Sequence, residues 1–211
     1  MSGPPNGDSA RVTMDAGLEV LFKSLECELD WLQAKWSEYQ EVFGGGPRRR
    51  EVLNTVASNF FYLLEQLLFQ DAMLQLCRLT DRARSPVKGG PAENLTVQML
   101  AEAIADPTLK AAVASAAGQA REKCEFARQW RDKWLAHTDL VINQRGWASS
   151  LPSVTAKHIE DAIDSLSTTL NLIDGYYRRP PVVRLKDPWG AKSLMHYLEK
   201  GLRASDEENR S

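Results

Sequence analysis

Between Leu18 and Phe43 the apolar residues recur in alternating steps of four and three: Leu18, Phe22, Leu25, Leu29, Leu32, Trp36, Tyr39 and Phe43. On an α-helix that spacing keeps every one of them on a single face. A strand would send alternate residues to opposite sides. This stretch therefore requires a helix whose apolar stripe is buried against other elements. The run GGGP at 44–47 stops it, because glycine lets the chain turn and proline cannot continue the hydrogen-bond ladder.

The rest of the chain repeats the pattern. A second long helix is expected over about 49–82, with Val52, Val56, Phe60, Leu63, Leu67 and Leu74 as its inward seam. The next step along that seam after Leu67 is Asp71, an acid where an apolar residue belongs. SPVKGGP, from Ser85, reads as a loop and 95–105 as a short amphipathic helix. Asp106 and Pro107 supply a cap and first turn for a third long helix running to about His137. Phe126, Trp130 and Trp134 share one of its faces. After the loop NQRGWASSLPS, Thr155 can cap a fourth helix with Ile159, Ala162, Ile163, Leu166, Leu170 and Ile173 facing inward, ending near Tyr177. A last short helix over about 189–203 carries Leu194, Tyr197, Leu198 and Leu202. No strand pairs are expected.

The reading is an all-α fold: an antiparallel up-and-down bundle of four long helices with short accessory helices. The bundle spans 14–178. A C-terminal segment, 179–204, adds the short packing helix. Residues 1–13 and 205–211 are polar tails, expected to be disordered.

Of the 211 residues, 43% are hydrophobic, enough for a substantial core. The net charge of −2 argues against a protein that coats duplex DNA through a broad basic surface, while leaving room for a local basic pocket. The three cysteines, Cys27, Cys77 and Cys124, lie far apart in helical patterns, without zinc spacing. They read as buried free thiols of a reducing cytoplasm. MSGPPNGDSAR has no apolar core segment of the kind a signal peptide needs. FFYLLEQLLF, from Phe60, is broken by Glu65 and Gln66 and is too short to span a bilayer.

Several chemistries are missing from the sequence. GGGPRRRE lacks the lysine and hydroxyl of a phosphate loop, and no strand precedes it. There is no GxSxG, HExxH or DxDxDG. The N-x-T at Asn94 matters only in a secreted protein. Glu26/Asp30 and Glu160/Asp164 have the i,i+4 spacing of a solvated helix face. No metal and no cofactor is expected.

One stretch remains: RDKWLAHTD, 131–139. An arginine always carries charge and its fork matches a phosphate. A histidine near its ordinary pKa of about 6.5 takes and gives a proton at neutral pH. Together, Arg131 and His137 suffice for metal-independent RNA cleavage through the 2′-hydroxyl. On an ideal helix, residues six apart end about 120° out of alignment, so the two do not stack. The arginine would have to swing across, more easily if the helix loosens at His137. The simpler reading makes His137 a helix C-terminal residue favoured by the dipole, with Arg131 paired to a carboxylate.

RDKWLAHTD, together with LQLCRLTDRA at 74–83 and the helix that follows Thr155, resembles the HEPN superfamily (higher eukaryotes and prokaryotes nucleotide-binding). The similarity spans about 18–177 and is greatest to the abortive-infection, AbiU-like branch of anti-phage systems. The resemblance implies an arginine, a polar residue and a histidine four to six residues on; here Asp132 fills the polar place. It implies an α-helical bundle, metal-independent ribonuclease activity, and a role as toxin or defence effector. Carried over, Arg131 and His137 are catalytic and Asp132 positions the arginine or the substrate. It also implies a homodimer whose two motifs line one cleft, so that an arginine of one chain serves the histidine of the other. Other branches keep the fold without activity or bind nucleotidyltransferases. The second functional reading is accordingly a silent helical module that binds such an antitoxin or a nucleic acid.

Lys133, Arg78 and Asp81 are further candidates for substrate contact. Asp81 could equally end the second helix by turn chemistry. Asp71, on an apolar seam, needs an ion-pair partner or a role in orienting Arg131. Trp130 and Trp134 read as packing residues, and Arg48, Arg49 and Arg50 as a solvated basic cluster. Nothing in the sequence ties His158 or His196 to His137.

Overall fold

Asp15 starts the first helix. Its carboxylate accepts from the Gly17 N–H at 2.8 Å and the Leu18 N–H at 3.4 Å, satisfying donors that no preceding turn can reach. In the computed structural model, which describes residues 13–87, 90–135, 153–178 and 189–208, this helix, α1, spans Ala16–Phe43. Leu18, Phe22, Leu25, Leu29, Leu32 and Trp36 are all buried, as their spacing predicts. Tyr39 and Phe43 are only partly covered, and Val42 is buried beside them. Gly46 takes a positive φ of 76°, which turns the chain into the next helix.

That helix, α2, spans Gly46–Thr80 and kinks at Ala57. Its expected inward seam is overturned. Phe60, Leu63 and Leu67 are 59%, 60% and 62% exposed, Val56 and Leu74 are exposed as well, and Val52 is only partly covered. The buried apolar positions are Leu53, Phe61, Ala72, Met73, Leu76, Cys77 and Leu79, with Gln75 and Thr80 buried among them. The C-terminal half of α2 has apolar residues on more than one face. Periodicity finds such faces, but only the neighbours decide which is covered. Asp71 meets Lys35 of α1 in an interhelix ion pair.

The expected loop after α2 contains a hairpin, β1 (Arg84–Val87) with β2 (Gly90–Glu93), antiparallel, with Arg84 opposite Glu93 and Pro86 opposite Pro91. Proline cannot donate to a ladder, so its presence in both strands hid them from sequence reasoning. Asn94 pins the base: its side-chain amide donates to the Arg82 carbonyl at 2.8 Å and to Ser85 Oγ at 2.7 Å.

Helix α3 (Val97–Ala103) is capped by Thr96, and α4 (Pro107–Lys123) by Asp106, which accepts from the Leu109 N–H at 2.7 Å. The expected continuous third helix is broken. α4 stops at Cys124 (φ −93°, ψ 8°), α5 covers Glu125–Trp130, and a π turn covers Arg131–Leu135. The break leaves the Arg121 carbonyl, which the Arg128 guanidinium takes up. Helix α6 (Ala156–Tyr177) opens with a capping box between Thr155 and His158 and buries the six predicted apolar residues.

Helices α1, α3, α4 and α6 and the C-terminal half of α2 enclose the main core. Helix α7 (Trp189–Glu208) runs past the expected end at 203 into the expected C-terminal tail, so 205–208 are helical. It closes a second, smaller cluster of Val42, Leu53, Phe61, Ala191 and Met195. Glu38 caps it from α1, accepting from the Gly190 and Ala191 N–H groups at 3.2 and 2.5 Å. The fold is all-α, with one small hairpin among the described residues. Among the described residues no helix is long and apolar enough to cross a membrane.

Phe22 is fully buried, whereas Val20 is 68% exposed. Phe22→Ala is expected to cost about 3–5 kcal/mol in urea unfolding, and Val20→Ala less than about 0.5 kcal/mol. Equal losses would refute this assignment of the α1 faces.

Candidate functional site at the end of α2

The last turn of α2 carries carbonyls without helical partners and the negative end of the helix dipole. Three arginines converge on it. Arg121 donates to the Thr80 carbonyl at 3.2 Å. Arg128, almost wholly buried, donates to Thr80 Oγ1 at 3.1 Å and pairs through Nε with Glu125 at 3.0 Å. Arg131 reaches Asp81 Oδ2 through Nη1 at 2.5 Å and Asp132 Oδ1 through Nε at 2.9 Å. Steps of seven and three keep 121, 128 and 131 near one side of the α4–α5 path. That spacing was available in the sequence, but Arg121, Arg128 and Thr80 were not singled out from it.

Asp81 therefore does two things. It ends α2 in an extended conformation, as turn chemistry suggests, and its carboxylate holds Arg131. Both partners are less than one-third exposed, which strengthens the pair relative to one in open solvent. Burial alone would lower the Arg131 pKa. The hydrogen bond to Asp132 and the charge and hydrogen bond of Asp81 outweigh it, and the guanidinium is held above its ordinary range. Arg131 stays charged at every pH of interest.

The same Asp81 forms a wall of an open cleft of about 290 Å³ with Arg78, Ser85, Glu93, Asn94 and Leu95. Arg78 is largely exposed there and touches Glu28 at 3.5 Å. Of the predicted residues, Arg131, Asp132 and Asp81 are in direct contact, Arg78 lines the cleft with Asp81, and Lys133 stands exposed on the π turn. His137 lies outside the described residues. The α-helical phase behind the 120° offset ends at Trp130, because the π turn begins at Arg131. Asp71 pairs with Lys35; the acid that meets Arg131 from α2 is Asp81. Trp130 packs edge-on against Phe69 at 5.4 Å, as a packing residue should.

Two thiols lie beneath the cluster. Burial raises Cys77 to about 12, against the pull of nearby Arg131, and Cys124 to about 11, against its hydrogen bond with Thr80 and the charge of Arg128. Both stay neutral at physiological pH and are not nucleophiles. Cys27, expected to be buried, is exposed.

With this arrangement in view, residues 15–181 match the HEPN domain family described as AbiU2. The chain belongs to that family. The matched span of this AbiU2-family chain takes in α1 to α6 and the Arg131 turn, and leaves α7 outside. No curated protein and no solved structure matches it.

Thr80→Val would strand a buried Arg128 donor and is expected to cost about 1–3 kcal/mol in unfolding experiments. In the native chain a thiol reagent at pH 8 should label Cys27 alone, with Cys77 and Cys124 reacting only after unfolding. The folded values of both buried thiols lie above 9.0, so the unfolded chain loses protons first. Their contribution to stability is complete below pH 9 and declines as pH rises toward 11 to 12. Rapid native labelling of Cys77 would refute its burial.

Proposed function

We propose that this AbiU2-family chain is a metal-independent endoribonuclease that acts in phage defence or as a toxin. The observation that carries the reading is the fixed Arg131: the arginine of the family's motif, oriented by carboxylates on both sides and set next to an open cleft. RNA is the substrate. His137 takes the proton of a 2′-hydroxyl, and the freed oxygen attacks the neighbouring phosphorus. The bond to the 5′-oxygen breaks, that oxygen takes a proton from water, and His137 returns its proton to solvent. The products are a 2′,3′-cyclic phosphate and a 5′-hydroxyl end. Arg131 stabilises the charge that builds on the phosphoryl oxygens.

Electrostatics divides the supporting roles. Arg131 with Asp81 and Asp132 sums to a net charge of −1, so this trio alone does not attract a phosphate. Arg78 and Lys133 supply the compensating positive charge. Asp132 and Asp81 are positioning residues: they fix the guanidinium in one orientation, and its remaining N–H donors are those that meet the phosphate.

Induced expression of the wild type should arrest growth and degrade a defined RNA, with cleavage that survives EDTA and leaves cyclic phosphate ends. Arg131→Ala and His137→Ala should each lower the cleavage rate by about 10²-fold or more. Asp81→Asn should lower it too, while charge-conserving Asp81→Glu restores part of it. If the folded wild type cleaves no RNA and all variants leave growth alike, the ribonuclease reading fails and a silent interaction module takes its place.

A further inference from the structure

Two hydrogen bonds join α1 to α6. Gln33 Nε2 donates to Ser167 Oγ at 3.0 Å, and the Gln40 amide donates to the Glu160 carboxylate. The two rungs stand about 10 Å apart along the helices. Between them opens a cavity of about 270 Å³, with Trp36 on its α1 side and Ile163 and Asp164 on its α6 side. Two buried groups that line it have no hydrogen-bond partner among the described residues. Trp36 is 5% exposed, its ring is stacked on Tyr39 at 4.7 Å, and its indole N–H donates to nothing. Gln33 Oε1 is buried and accepts nothing. Chemistry fixes that amide's orientation. Ser167 gives its hydroxyl hydrogen to the Ile163 carbonyl at 2.9 Å, so it accepts from the Gln33 N–H and leaves the oxygen over. Residues three apart share a helix face, so an unmet donor and an unmet acceptor stand side by side. Across the cavity Glu160 and Asp164 hold their carboxylates one turn apart on α6. Lys157 of that helix pairs with Asp161 instead, and among the described residues no basic side chain forms an ion pair with Glu160 or Asp164. The cavity's lining therefore carries a charge of −2, one from each carboxylate.

We propose that this cavity binds a small organic cation that carries oxygen beside its charge, of the amino-sugar or amino-alcohol class. Each half of that description answers a group on the protein. The ammonium N–H groups meet the Glu160 and Asp164 carboxylates, and a further N–H or a hydroxyl donates to Gln33 Oε1. An oxygen next to the ammonium accepts from the Trp36 indole N–H. A buried donor or acceptor left without a partner is costly, so a ligand that completes both gains affinity from groups the folded chain already holds in place. Charge excludes the opposite class, because two carboxylates repel a phosphate or an organic acid. The volume is at the small end of the range for ligand pockets, which suits a molecule of monosaccharide size rather than a polymer. The cavity shares no lining residue with the cleft beside Arg131. This inference goes beyond the ribonuclease reading and does not rest on it.

D-glucosamine is the probe. D-glucose, with the oxygens but no charge, and putrescine, with charge but no oxygen, are the comparisons. Titration calorimetry on the full chain gives the affinities. The Trp36 indole N–H signal in a proton–nitrogen correlation spectrum, identified by its loss in Trp36→Phe, gives the place of binding. Glucosamine is expected to bind with a Kd at or below about 1 mM and to shift that signal, and glucose and putrescine to bind at least about 10-fold more weakly. Asp164→Asn should weaken glucosamine by at least about 10-fold. Asp161→Asn removes the same charge from α6 outside the cavity and should change the affinity by less than about 2-fold. Asp164 is exposed, so its variant should keep its helical circular dichroism. A wild type that takes up no glucosamine at about 20 mM would overturn the proposal. So would binding that Asp164→Asn leaves unchanged or that moves no Trp36 signal, because the ligand would then lie elsewhere. Putrescine binding as tightly as glucosamine overturns it as well, since the oxygen would then contribute nothing. None of these readings depends on whether the chain cuts RNA.

Discussion

The hold of Arg121, Arg128 and Arg131 on the last turn of α2 is the contact on which the candidate site depends. It joins two segments that are distant in sequence, Thr80–Asp81 and the broken helix after Cys124. Without it the α2 terminus would carry unpaired carbonyls, and a nearly buried guanidinium would lack acceptors. The break at Cys124 belongs to the same arrangement, since it frees the Arg121 carbonyl that Arg128 then binds.

The arrangement separates support from chemistry. Arg128 and Arg121 meet backbone and a threonine hydroxyl, and Arg128 is shielded from solvent; they hold the elements together. Arg131, three residues further on, meets carboxylates and borders solvent. One kind of side chain thus serves as a structural pin where it is buried and as a charged group at the surface where it is not. The hairpin contributes Ser85 and Glu93 to the cleft and is anchored by Asn94 and by the Arg84–Glu102 pair.

Much of this was legible from residues alone. The α1 stripe, the caps at Asp106 and Thr155, and the inward face of α6 were all read correctly, because cap chemistry and a one-sided apolar pattern are local properties. Arg131 and Asp132 were legible as a motif, and Asp81 as a neighbour in the RLTD segment. The hairpin was not, because prolines in both strands removed the usual pattern. The break at Cys124 had no sequence mark: neither glycine nor proline stands there, and the Arg128–Thr80 contact beside it joins residues 48 apart in the chain.

Sequence by itself determined that the chain is helical, where most helices begin and end, and that an arginine and an acid stand side by side at 131 and 132. Those features arise from spacing, caps and residue chemistry within a turn or two. Tertiary structure alone decided which face of α2 is covered and which acid, Asp71 or Asp81, meets Arg131. Both choices compare groups far apart in the chain. A helix with apolar residues on several sides has no inside until its neighbours take their places.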